Sequence, residues 1–215
     1  MPTINFEWVK TDEPIRISQC ANDLGFNLRT LDHQGISDQI WNIIDGKIRN
    51  SIMETLDDRW NKAEGVTQPL SQVTKGVYAI TLGDNLSIDY NGNPSKVIYI
   101  GRGHIRSRIF NHFKHWVRYL SDSLQDISFD IWMAEIKVKG SANAFKEVET
   151  DLLEDFWGRY RAYPLQNKKS GDYHEKEHEY DCDWKSPLKN PTNIQYGWSI
   201  RPLRQNPWVI EFEDA

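Results

Sequence analysis

A chain of 215 residues with 39% hydrophobic and 27% charged residues can build an ordinary core, which excludes a fibrous or disordered class. A net charge of −5 argues against a broadly basic nucleic-acid binder, and no apolar stretch reaches membrane-spanning length. Nine tryptophans promise a well-filled core, and the distant pair Cys20 and Cys182 offers no disulfide framework, so a reducing, cytoplasmic setting is expected.

The N-terminal stretch MPTINFEWVKTDEPIRIS lacks the basic-then-apolar pattern of a secretory signal. Residues 1–72 read as a separate, mainly helical region. Within it Ile40, Ile43, Ile44, Ile48, Ile52 and Leu56 recur at helical spacing, with Ser37 as the N-cap and Gly46 as the weak point. This stripe suits a core or a docking surface rather than chemistry. Gly65 and Pro69 then mark a linker.

From Lys75 the pattern changes. VYAITL is a strand by its β-branched and aromatic content. Gly83 to Ser95 is a long connection, with turn chemistry at Asn91-Gly92-Asn93-Pro94. KVIYI is almost wholly apolar and reads as the central strand, after which Gly101 and Gly103 allow a sharp turn into a helix. Ile105, Ile109, Phe113, Trp116 and Leu120 form that helix's buried stripe, with Arg108 and His112 four residues apart toward the rim. A third strand follows over Ile127 to Val138, with a bulge expected near Trp132 and Met133.

Residues 142–161 predict a second amphipathic helix, its apolar face defined by Phe145, Val148, Leu152, Leu153, Phe156 and Tyr160. Glu149 falls in the middle of that face, whereas Glu147 and Glu154 point roughly opposite. A carboxylate in an apolar stripe requires a cation, a metal or several donors. The charge along the chain is also uneven. Residues 76–118 carry Lys96, Arg102, Arg106, Arg108, Lys114 and Arg118 against Asp84 and Asp89, a local patch able to hold a phosphate backbone.

In order, GVY at 76–78, YIG at 99–101, Arg108 with His112, VETDLL with Glu149, and PLQN ending at Asn167 resemble a GIY-YIG nuclease domain. The resemblance covers about residues 75–169, with Val77 in place of the middle isoleucine. It implies an α+β fold in which a small three-stranded antiparallel sheet is flanked by helices. The N-terminal helical region and a C-terminal extension, residues 170–215, would be additions to it.

The implied activity is metal-dependent hydrolysis of nucleic-acid phosphodiesters, DNA being favoured over RNA, with a restriction-type role and a homodimer as expectations. Glu149 would ligate Mg²⁺ or Mn²⁺, and Arg108 would meet the phosphoryl oxygens. Tyr78 would be the general base, its pKa lowered by nearby positive charge. Tyr99 would orient water or phosphate, His112 would share a proton or bind phosphate, and Asn167 would hold the site's geometry. Arg102, Arg106 and His104 remain alternatives for the phosphate-facing cation, and Glu154 for the metal acid. A catalytically inactive protein of the same fold that binds or regulates nucleic acid is the rival reading.

In the tail, His174, His178 and Cys182 are spaced four apart, which on a helix would align three zinc ligands. The interleaved acids there equally fit an ordinary solvated segment. NIQYGWSIRPLRQNPWVIEF is aromatic enough to fold back on the body.

Overall fold

The computed structural model describes residues 3–28, 31, 36–83, 86–124, 126–168, 170–174 and 177–189. Two short strands, β1 (Thr3–Ile4) and β2 (Val9–Lys10), precede helices α1 (Ile17–Asp23) and α2 (Asp38–Asn61). Ser37 caps α2, its hydroxyl accepting from the Ile40 amide at 3.4 Å. The stripe of α2 begins one turn later than its isoleucines imply. Ile40 and Ile43 are exposed, and the buried set is Ile44, Ile48, Ile52, Met53, Leu56 and Trp60.

Strand β3 (Gly76–Leu82) leads into a small hairpin, β4 (Ile88–Tyr90) and β5 (Asn93–Ser95), before strand β6 (Val97–Gly103). Asn91 (φ 55°) and Gly92 (φ 82°) make the hairpin's turn, with the left-handed backbone an Asn-Gly pair tolerates. Helix α3 (Ile105–His112) continues through a π turn (Phe113–Val117) into α4 (Arg118–Ser123). The π turn adds a residue to the repeat, so Phe113, Val117 and Ser121 are buried while Trp116 and Leu120 are only partly so. Strand β7 (Phe129–Glu135), helix α5 (Ala144–Tyr160) and strand β8 (Glu179–Tyr180) follow, with short 3-10 turns at Leu70–Gln72 and Ser186–Leu188.

The fold is α+β, and its main sheet has four strands rather than three, in the order β2-β7-β3-β6. The additional strand comes from the N-terminal region, Val9 lying opposite Met133. All its pairings are antiparallel. The strand KVIYI, expected at the centre, lies at the edge as β6, and β3 and β7 are the inner pair. Its apolar character has a different origin. Beyond its outer edge the chain returns, the Gln166 amide donating to the Ile98 carbonyl at 3.0 Å, so β6 is covered without a further strand.

The bulge expected near Trp132 and Met133 is absent: β7 pairs with β3 in unbroken register from Gly76↔Glu135 to Leu82↔Phe129. The irregularity lies instead between Ile80 and Thr81, where β3 meets β6. Lost alternation in β7 reflects burial on both faces. N-terminal residues (Ile4, Ile48, Trp60) and core residues (Ile80, Phe129, Phe156) belong to one buried cluster.

Described residues of the C-terminal extension, up to Lys189, contact this body. Strand β8 pairs in parallel with β1, Thr3 opposite Glu179, and the Trp8 indole donates to the Trp184 carbonyl at 2.9 Å. The aromatic stretch NIQYGWSIRPLRQNPWVIEF lies outside the described residues. Among the described residues no helix is long and apolar enough to cross a membrane.

Candidate functional site

Strands β3 and β6 run side by side with Tyr78 opposite Gly101, which sets the tyrosines of the two strands next to each other. Their rings lie 5.9 Å apart. Gly101 makes this possible, since a Cβ there would fall 2.5 Å from Tyr99 Cε1 and 2.6 Å from the Tyr78 hydroxyl. Gly103 (φ 106°) then turns the chain into α3, whose N-cap is the His104 side chain. That helix carries His112 back over the tyrosines, its ring 4.4 Å from that of Tyr99 and 5.7 Å from that of Tyr78.

A directed hydrogen-bond chain results. The Trp116 indole N–H donates to His112 Nδ1 at 2.8 Å, and His112 Nε2 lies 2.8 Å from the Tyr78 hydroxyl. An indole N–H can only donate, so neutral His112 keeps Nδ1 as acceptor and its proton on Nε2, aimed at Tyr78. Interaction with Tyr99 raises the pKa of Tyr78, whereas the hydrogen bond with Tyr78 works to lower that of Tyr99.

Burial dominates the tyrosine electrostatics. It raises Tyr78 well above its ordinary value, and Tyr99 opposes ionisation further, while Arg108 works in the other direction. Tyr99 is also raised, first by burial and then by the Glu149 charge, and Tyr78, Arg108 and Arg102 counteract this. Contrary to the sequence expectation, nearby positive charge does not bring Tyr78 down. His112 is pushed down to about 4, first by burial and then by Arg108 and His115, so it is neutral near pH 7.

Access is graded across the site. Tyr78 is fully buried, Tyr99 and His112 are half-buried, and Arg108 is exposed. The other candidate cations are engaged: Arg106 binds Asp57 of α2 at 2.9 Å, and Arg102 binds Glu149 at 3.1 Å and Asp172 at 2.6 Å. Glu149, on α5, has a side chain 13% exposed and acts electrostatically on both tyrosines. Asn167 accepts from the Ile100 amide at 2.9 Å and donates to the Ile100 carbonyl at 2.8 Å, pairing with the edge of β6 as a strand would. The six candidates of the sequence therefore fall around one end of β3 and β6.

Sequence reasoning missed Trp116 as a participant, and it offered Arg102 as a phosphate-facing cation rather than as the partner of Glu149. The spacing of Trp116 four residues after His112 was the available signal, obscured because the residue was counted as core. A single carboxylate facing a polar site suits a hard cation such as Mg²⁺, which retains several waters and takes the remaining oxygens from a phosphate.

Elsewhere the expectations need correction. Glu147 does not face solvent: it is 8% exposed and lies 3.0 Å from Nε2 of His178, because the extension folds over this side of α5. The described residues around His174 and His178 are not helical, so the three zinc ligands do not align. The Cys182 thiol turns instead toward the Ile4 carbonyl at 3.9 Å. Comparison with family models, with curated proteins and with solved structures finds no match.

Proposed function

We propose that this chain is a metal-dependent endonuclease of the GIY-YIG type, acting on DNA in preference to RNA. The observation that carries the reading is the convergence of Tyr78, Tyr99, Arg108 and His112, with Glu149 within electrostatic range of both tyrosines. Such a cluster has no use as a core, where its polar ends would only add desolvation cost. Arg108 offers the incoming phosphate a planar fork of donors where negative charge builds in the transition state.

The geometry favours Tyr99 over Tyr78 as the group that meets the attacking water, being the more exposed and the more readily ionised. Tyr99 first gives up its phenolic proton to solvent, a loss that burial opposes and that the Tyr78 hydroxyl, Arg108 and Arg102 favour; the water oxygen then bonds to phosphorus as its proton passes to the phenolate. The leaving sugar oxygen departs with the P–O electron pair and is protonated from solvent. His112, held by Trp116, orients Tyr78. A divalent ion held by Glu149 would supply Lewis-acid stabilisation of the scissile phosphate. A restriction-type, homodimeric enzyme is the form of this proposal most compatible with a small site carrying large appendages.

The second reading, a nucleic-acid-binding protein that does not cleave, draws on the ion pair of Arg102 with Glu149, which engages the carboxylate a metal would need. Plasmid cleavage by wild type and Glu149→Ala, with Mg²⁺, Mn²⁺ or EDTA, separates the two. Metal-dependent cutting that falls about 100-fold or more in the variant, equivalent to ~2.7 kcal/mol, is expected. Discrete fragments would indicate sequence specificity. DNA retention without cutting under any metal would favour the second reading.

A further inference from the structure

On the side of α5 covered by the extension, two imidazoles converge on one carboxylate. Nε2 of His174 lies 3.0 Å from Oδ1 of Asp151, and Nδ1 of His178 lies 3.0 Å from Oδ2. One donor atom from each residue falls within 4.8 Å of the others. Zn²⁺ bound at its usual ~2.0–2.1 Å requires ligand atoms about 3.3 Å apart, which small side-chain rotations would provide. From these residues we propose a second metal site, in which Asp151, His174 and His178 bind a borderline divalent cation of the Zn²⁺ class.

The contacts around the cluster are those of a supported site. With Nδ1 of His178 turned to the metal, its Nε2–H donates to Glu147 Oε2 at 3.0 Å, fixing tautomer and ring orientation. The Tyr180 hydroxyl donates to Oδ2 of Asp151 and orients the carboxylate. His178 has a side chain only 1% exposed, yet it is polar on both ring edges.

His174 is the clearer indication. Both of its ring nitrogens are shielded from solvent, and neither makes a hydrogen bond among the described residues, despite the ion-pair distance to Asp151. Leaving buried polar atoms unsatisfied costs about 1–3 kcal/mol, and coordination would remove that cost. Two nitrogens and one oxygen select a borderline ion over Mg²⁺. An open cleft of about 790 Å³ adjoins the cluster, lined in part by Tyr173, Glu154 and Trp184, and gives water access to a fourth position.

The site does not depend on the nuclease reading. Glu149 and Asp151 are two residues apart on α5 and therefore project about 200° apart around the helix. Bound metal would fasten the extension to α5, which implies a structural role.

The test uses the tag-free full-length chain, stripped with chelator and titrated with Zn²⁺ and Co²⁺. One Zn²⁺ per chain, visible ligand-field absorption with Co²⁺ and a higher melting temperature with Zn²⁺ are expected. His174→Ala should weaken binding by about 100-fold or more, while Cys182→Ser and Glu149→Ala leave it unchanged. His174→Ala is the primary variant because buried His178 contributes to the fold, and circular dichroism verifies that the variant is folded. Failure of wild type to bind, binding by folded His174→Ala as tight as wild type, or loss of binding in Cys182→Ser would each overturn the proposal.

Discussion

The fixed tautomer of His112 has consequences for pH dependence. Its pKa falls from 6.5 to about 4 through burial first, then through the charges of Arg108 and His115. An unfolded chain takes up the proton near pH 6.5, whereas the folded chain refuses it until about 4, so more protons are bound in the unfolded state between these values. The stability from this neutral imidazole is complete above about pH 6.5, declines as pH falls through the window and levels off below about 4. The swing is ~3 kcal/mol at most. Urea melts of wild type and His112→Phe across the window should show the steeper loss in wild type. Parallel curves would contradict a buried neutral histidine.

At the scale of elements, the β3–β6 pair and the helix after it act as one positioning device. Tyr78, Tyr99 and His112 meet because Gly101 lets two phenol rings occupy the space over its own backbone. Gly101→Ala forces a methyl group into that space, against the half-buried Tyr99 ring and the fully buried Tyr78, which has no free space to move into. The expected cost is ~1–3 kcal/mol of stability, read by chemical denaturation, with loss of the proposed cleavage activity out of proportion to the unfolded fraction. An alanine variant with wild-type stability and cleavage would show that the rings have slack. The outer edge of β6 depends on Asn167, whose amide substitutes for a strand at Ile100.

For the whole molecule, the N-terminal region is part of the body. Helix α2 buries six side chains, including Ile48, Leu56 and Trp60, and full burial of a large apolar side chain is worth ~1.5–3 kcal/mol. Their sum is comparable to the ~5–15 kcal/mol that separates folded from unfolded for an ordinary domain. Removing residues 1–74 would also uncover the outer edge of β7. A fragment of residues 75–169 is therefore expected to lack cooperative thermal unfolding and dispersed amide resonances. A cooperatively melting fragment would show that this segment is autonomous.

The sequence by itself determined what depends on neighbours along the chain: the Ser37 cap, the Asn91-Gly92 turn, the strands VYAITL and KVIYI, and the helix holding Glu149. It also placed Arg108 and His112 on one helix, because a four-residue spacing is a local geometric fact. Only the tertiary structure decided the strand order, since two-sided burial gives central strands and covered edge strands the same apolar look. It alone decided that Glu147 is buried, because periodicity describes one apolar face of α5 and is blind to a polar segment returning from thirty residues away. The exchange of Cys182 for Asp151 beside His174 and His178 has the same cause. Ligand sets form across space, and spacing along the chain reports them only where the segment is a regular helix.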